Sequence, residues 1–332
     1  MLGLVGLWGA PAARAEEFFT YTGEPVYQAP HEVFREPTAL AGVTGRLRVA
    51  SYNIEHFSDG VDDEAERTPA RALAQAQGAA RLIDQINPDL LVLQEVEGRD
   101  AVRLLNAQLT RPFGQAVVTQ LGEMTHYADK LNLAVLSQVP LLSARELDFG
   151  LLTGPGRPTR GLLRVAVDLG GEHRLLVYVL HLKSNFGNAP RNIAQREAAL
   201  KIMVKDVEAV RAQQPEFQWE VLALGDTNVD PEVEQFAADT SFRPLADWAD
   251  LWRGRPLAER TTIPTRVGDP AKEFPPAAFD RIFASSALTR PPWVAGSPGV
   301  LQQGCATNDC NLPPGVDGHL SDHYPVYVDL TR

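Results

Sequence analysis

Two strand-like apolar runs in this chain end in acids. Leu90-Leu91-Val92-Leu93 passes into Gln94-Glu95, and Glu220 to Leu224 passes into Gly225-Asp226-Thr227-Asn228. Runs without polar alternation belong to strands covered on both faces, and such strands rarely end in unpaired acids. Two more stretches end in polar groups: Arg46 to Tyr52 stops at Asn53, and Arg174 to Leu180 opens onto His181. Later in the chain the polarity reverses. Asp280 lies at the start of a strand, and Asp322-His323 precede the alternating Val326 to Leu330. Groups at the ends of some strands and the starts of others share one edge only if strands run in both directions. The sheets must therefore be mixed or largely antiparallel, which excludes a purely parallel Rossmann-type sheet.

Taken singly, each polar residue has an ordinary use. Asn53 could cap a turn, Glu95 could be a solvated loop acid, and His181 could be a satisfied edge histidine. Asp226 with Asn228 could form a tight Asx turn, and Asp280 could pair with Arg281. Taken together they are poorly explained as packing. Beside Ser321 and Pro325, the adjacent Asp322 and His323 combine a carboxylate that can hold a metal ion with a ring that can move a proton.

Composition limits the partners. The formal net charge is −11, so no general attraction to nucleic acid or anionic lipid is expected. A polyanionic substrate would need local basic residues or a cation, which argues against tight nucleic-acid binding but not against its turnover. Arg253, Arg255, Arg260 and Arg266 form the only compact basic cluster, in a long loop from Arg253 to Pro276. The cluster either contacts a nucleic-acid backbone or is a solvated loop offsetting acidic neighbours. After the N-terminus no apolar run approaches the roughly 20 residues of a membrane span, so no stable membrane insertion is expected.

The apolar stretch Leu2 to Ala10 and the sequence Ala13-Arg14-Ala15 look like a signal peptide over residues 1–15, although a positive n-region is missing. Export to the periplasm or the medium is expected, and Cys305 and Cys310 could then close a short disulfide loop. Residues 16–43 read as an extended lead-in, and 44–332 as a single domain without repeats. Helical spacing predicts a helix over Pro69 to Ile86, stopped by Asn87-Pro88-Asp89, and others over Asp100 to Leu109 and Arg191 to Gln213. Strands are further predicted over Leu131 to Leu136 and Leu162 to Leu169.

The motifs Ser51-Tyr52-Asn53-Ile54-Glu55, Leu93-Gln94-Glu95-Val96 and Asn132 to Ser137 are followed by His181-Leu182-Lys183-Ser184, Gly225-Asp226-Thr227-Asn228, Phe279-Asp280-Arg281-Ile282 and Ser321-Asp322-His323-Tyr324-Pro325. In that order they resemble the endonuclease/exonuclease/phosphatase superfamily, which includes secreted deoxyribonucleases, abasic-site endonucleases, bacterial sphingomyelinases and inositol-polyphosphate 5-phosphatases. The resemblance implies an α/β fold of the α+β type: a four-layer sandwich of two packed, mostly antiparallel mixed sheets flanked by helices. It implies a Mg²⁺-dependent phosphoesterase, with Mn²⁺ or Ca²⁺ as alternative ions, in which Glu95 is the main metal ligand, helped by Asn53 and Asp322. Glu55 would hold a second ion or order the first through water. His323, oriented by Asp280, would be the general base, and Asp226 would position the attacking water or share the base role. Asn228 and His181 would donate hydrogen bonds to the phosphate, and Lys183 would add a cationic contact to the substrate. The leading expectation is an exported, monomeric nuclease acting on phosphodiester bonds of nucleic acid. A phosphatase or phospholipase-type enzyme acting on inositol phosphates or sphingomyelin is the alternative, and a non-catalytic binding module is a minor one.

Overall fold

The computed structural model describes residues 17–61, 67–121, 131–264, 275–305 and 312–332. The apolar N-terminus read as a signal, Arg266 and Cys310 lie outside the described residues.

The unbroken apolar runs reflect strands buried on both faces. β4 (Leu90–Val96) points Leu90 and Val92 into one core and Leu91 and Leu93 into another. The first core fills the space between two sheets; the second lies between one sheet and its helices. β10 (Gln218–Asp226) behaves alike, with Leu222 and Leu224 on the inner core and Val221 and Ala223 under a helix. Each such Leu or Val contributes about 1.5–3 kcal/mol on full burial, so the alternate residues of one strand weld two layers at once.

One sheet has eight strands. Its main path runs β13 (Val294–Ala295), β15 (Val326–Thr331), β3 (Arg46–Phe57), β4, β6 (Asn132–Ser137), β5 (Gln115–Val118) and β2 (His31–Arg35), and β14 (Gly299–Val300) also pairs with β15. The other sheet has seven: β1 (Val26–Gln28), β7 (Leu141–Asp148), β8 (Leu162–Gly170), β9 (His173–His181), β10, β12 (Asp280–Ala284) and β11 (Ala249–Asp250). Among the core strands that neighbour one another in the sheets, β3 with β4 and β9 with β10 are parallel, while β15 with β3 and β10 with β12 are antiparallel. The sheets are mixed, as the polarity of the strand ends required.

Helix α1 (Pro69–Ile86) and α2 (Arg99–Asn106) cover the outer face of the eight-stranded sheet, and α3 (Ala189–Gln213) covers that of the seven-stranded one. Thr68 caps α1 through its side chain, Pro69 suits the first turn, and Asn87 ends the helix in the left-handed region. The lead-in is extended and adds β1 to one sheet and β2 to the other. β5 and β7 lacked a clear sequence signal. β5 is only four residues long, and β7 carries Ser143, Arg145 and Glu146 among its apolar residues.

Candidate active site

Register brings the site together. His181 of β9 and Asp280 of β12 are both direct cross-strand partners of Asp226 on β10, so a single row across three strands carries one imidazole and two carboxylates. Gly225 makes that row possible. Its φ is +137°, and a Cβ there would collide with the backbone carbonyl of Leu180 on β9.

The facing sheet contributes through broken pairing. β3 continues to Phe57, so Asn53 is not at a strand end as the sequence suggested; the regular register with β4 stops at Asn53, and the β4–β6 register shifts between Leu93 and Val96. Glu55, His56 and Glu95 have positive φ. Bulges of this kind re-aim side chains, and left-handed conformations of non-glycine residues concentrate at functional sites. Here the buried Asn53 Nδ2 donates to Glu95 Oε1 and to Asp226 Oδ2, both at 3.1 Å, and so ties the two sheets together. Asn53 Oδ1 accepts the Glu55 N–H. The Asn53 oxygen expected to face an ion is thus turned to the backbone, and its amide nitrogen orients the two carboxylates.

Glu95, His181 and Asp226 each present one ligand-type atom within 4.8 Å of the others. His181 Nε2 is 3.5 Å from Glu95 Oε1 and 3.6 Å from Asp226 Oδ2. Burial, with Arg160, His323 and His56 nearby, holds the His181 ring well below its ordinary pKa, so it is neutral. Its Nδ1 is buried with no partner among the described residues. The proton of a neutral ring therefore belongs on Nε2, the nitrogen that has acceptors. Burial pushes Asp226 up to about 7, with Asp280 and Glu95 adding to the rise and His323 and the Asn228 N–H opposing it. Asn228 donates to Asp226 through both its backbone N–H, 2.8 Å to Oδ1, and its side chain, 2.9 Å to Oδ2.

His323 completes the cluster. Its Nδ1 donates to Asp280 Oδ2 at 2.7 Å, while Nε2 is 4.0 Å from Asp226 Oδ2 and 3.8 Å from Asp322 Oδ1. Burial opposes its charge, but Asp280, Asp322 and Asp226 together hold the ring well above its ordinary pKa. The loop carrying it is tied residue by residue. Gln75 of α1 donates to the Leu320 and Ile54 carbonyls, and Ser321 Oγ donates to Asn53 O and accepts the His323 N–H. The Asp322 N–H bonds Glu55 Oε2 at 2.7 Å, and the Tyr324 N–H bonds Thr262 O. Thr262 Oγ1 in turn accepts the Asp280 N–H.

Glu55, expected at a second ion, therefore holds the Asp322 backbone; the same oxygen also meets the buried His319 Nε2 at 3.2 Å. Of the expected metal set Asn53, Glu95, Asp322 and Glu55, only Glu95 belongs to the three-residue focus, which His181 and Asp226 complete. The two carboxylates suit a hard divalent cation by donor type, while the protonated Nε2 of His181 stands beside them as a hydrogen-bond donor rather than a ligand atom. Lys183 is placed differently from expectation. Its ammonium donates to Ser184 O, Ser184 Oγ and Phe186 O, so it staples its own loop.

The basic cluster of the long loop is split among the described residues: Arg253 is exposed and Arg255 half-buried, while Arg260 turns inward. Arg260 is buried and bonded to Asp230, which also receives Arg281. A buried carboxylate drew the arginine inward, because an unpaired Asp230 there would be costly. Sequence reasoning missed Arg160, which donates to Leu182 O at 3.0 Å and acts electrostatically on His181 and Lys183. It stands in a Gly- and Pro-rich loop with no pattern to single it out.

A sequence profile described as the Endonuclease/Exonuclease/phosphatase family matches residues 50–323. Truncated Caenorhabditis elegans TDP2 is similar in structure, with a TM-score of 0.57 at 20% identity, covering 86% of this chain and 98% of that one. D. rerio TDP2 complexed with single strand DNA product gives 0.57 at 21% identity, covering 87% and 100%. An endonuclease/exonuclease/phosphatase from Beutenbergia cavernae DSM 12333 gives 0.55 at 20%, covering 87% and 72%. At these identities the likeness is one of fold. A search of curated proteins finds no match. The profile spans every element that carries the cluster from β3 to His323, and the chain belongs to the Endonuclease/Exonuclease/phosphatase family, as a hydrolytic enzyme acting on phosphodiester bonds.

Proposed function

We propose that the protein is an exported, divalent-metal-dependent nuclease, with Mg²⁺ as its ion. The observation that carries the assignment is the buried Asp280–His323 pair at 2.7 Å aimed at the Glu95, His181 and Asp226 focus. A base with its orienter beside a cluster of metal-type donors suits hydrolysis and has no use in a binding module.

Glu95 and Asp226 would hold the ion through their carboxylates, with the His181 Nε2–H beside them as a donor rather than a ligand. When bound, a divalent cation would offset the carboxylate charge around His323 and stabilise the charge that builds on the phosphate and leaving oxygen. Asp280 keeps a proton on Nδ1 of His323, which leaves Nε2 as the atom that takes the proton of the attacking water. Asp226 lies beside that nitrogen and accepts from Asn228, so the pair holds the water's approach. His181, neutral and protonated at Nε2, donates toward the phosphate oxygens. Asn53 fixes Glu95 and Asp226 relative to one another. The structural neighbour complexed with a single-strand DNA product supports nucleic acid as the substrate class, and the apolar N-terminus with Ala13-Arg14-Ala15 supports export.

The test is a hydrolysis panel: plasmid DNA, RNA, bis-p-nitrophenyl phosphate, sphingomyelin and an inositol polyphosphate, each with Mg²⁺, Mn²⁺ or chelator. Metal-dependent cleavage of nucleic acid, with Glu95→Gln needing far more Mg²⁺ for half-maximal rate, is the expected result. Turnover of the lipid or inositol substrate alone would refute the nuclease assignment.

A further inference from the structure

The segment after His181 is shaped by more hydrogen bonds than a surface loop needs. Lys183 staples it through Ser184 O, Ser184 Oγ and Phe186 O, which accounts for all the donors of an ammonium. Buried Arg196, whose charge is paired with Asp239, donates to Lys183 O at 2.8 Å. Asn192 donates to Phe186 O at 3.1 Å, and Asn185 Nδ2 donates to Asn228 O. Because Asn228 itself bonds Asp226, the loop is tied to the cluster at one remove. What this scaffold presents is the Phe186 ring, 64% exposed. Its companions are cationic. Arg160 reaches in from the β7–β8 connection to Leu182 O, and exposed Arg191 follows in the first turn of α3. Arg160, Arg196 and Arg191 all lie near enough to act on the Lys183 charge. In a chain of net charge −11, a cationic rim beside the site is a local reversal of the field. The N-terminus of the 25-residue α3 adds to it in the same place.

We propose that residues 182–191 with Arg160 form a single-stranded nucleic-acid subsite, in which Phe186 stacks on an unpaired base beside the scissile phosphate and Arg160 and Arg191 hold neighbouring phosphates. The subsite rests on the nuclease assignment above and narrows it to a substrate with unstacked bases. Stacking on an aromatic ring is tolerant of base identity, because every base has a π-face, and a cationic groove supplies the backbone term. The sequence alone shows no basic stripe with aromatics, because Arg160 reaches the segment after His181 only through the packing of β8 against β9.

The experiment is fluorescence anisotropy in chelator, which prevents cleavage. The full chain is titrated with a labelled single-stranded oligonucleotide or with an abasic strand of equal length. Wild type should prefer the base-containing strand by about 5- to 150-fold, the range set by one stacked base. Phe186→Ala should erase that preference and Phe186→Trp should keep it. Arg191→Gln should weaken both strands and lower the salt slope by about 0.7, one phosphate contact on a single strand. Equal affinity of wild type for the two strands, or a preference that survives in Phe186→Ala, overturns the subsite. Absence of binding to either strand overturns it as well. In each of those cases Mg²⁺-dependent cleavage of plasmid or oligonucleotide, measured separately, leaves the nuclease assignment standing, and its absence removes both.

Discussion

Asp280 should matter to catalysis only through His323. Its Oδ2 is 2.7 Å from the His323 Nδ1, and Asp280 and His323 are 0% and 5% exposed. Its backbone has separate duties, donating to Thr262 Oγ1 and accepting from Trp252 Nε1, which Asp280→Asn leaves intact. The carboxylate's contribution to a ring that becomes charged in the transition state is about 4 kcal/mol, for charges about 4 Å apart at an effective dielectric of about 20. At about 1.4 kcal/mol per tenfold, Asp280→Asn should lower kcat about 10³-fold. His323→Ala should lower it at least as much, about 10³-fold or more, within the roughly 10²- to 10⁴-fold scale of a general acid–base group. If Asp280 acts through the ring, the double variant should be no slower than His323→Ala, because groups working as a unit are not additive. The assay is kcat on bis-p-nitrophenyl phosphate at saturating Mg²⁺, with thermal melts showing that each variant is folded. Losses that multiply in the double variant, or an Asp280→Asn enzyme within about tenfold of wild type, would refute the coupling.

Gly225→Ala should destabilise severely, by at least about 3 kcal/mol, since the residue combines a positive φ with a backbone collision at Leu180 O; a denaturant midpoint near that of wild type would contradict the register that sets His181 beside Asp226. At the other edge, Asp329 accepts a bidentate pair from Arg48 and a further bond from Arg46, and the Arg48 hydrogen bond holds its carboxyl below the usual range. A depressed carboxyl adds stability above its unfolded pKa of about 3.9 and loses it as pH falls through the folded value. Asp329→Asn should therefore cost about 1 kcal/mol at neutral pH, allowing for its partial exposure. That gap should close in acid, and a gap independent of pH in urea melts would show that the charge is not its source.

The sequence by itself determined the layers, the direction of the strands and the edge on which chemistry collects. Apolar runs such as Leu90 to Leu93 are legible because burial on two faces removes the polar alternation of a half-exposed strand. The helix over Pro69–Ile86 is legible because its spacing, its first-turn proline and Asn87 all act locally. The polarity of Asn53, Glu95, His181 and Asp226 against Asp280 and Asp322-His323 then required mixed sheets, and the sheets are mixed. Tertiary structure alone decided how the groups are aimed. Bulges at Asn53 and Glu95 depend on the partner strand, and no local propensity announces them. The Asn53 amide turns its nitrogen to Glu95 and Asp226 because the Glu55 N–H occupies its oxygen. Arg260 belongs to a basic cluster in the sequence and Arg160 to none, yet Arg260 is buried against Asp230 and Arg160 is the one that acts on His181 and Lys183. A charge carries no mark of its depth along the chain; long-range packing assigns its partner, and with the partner its role.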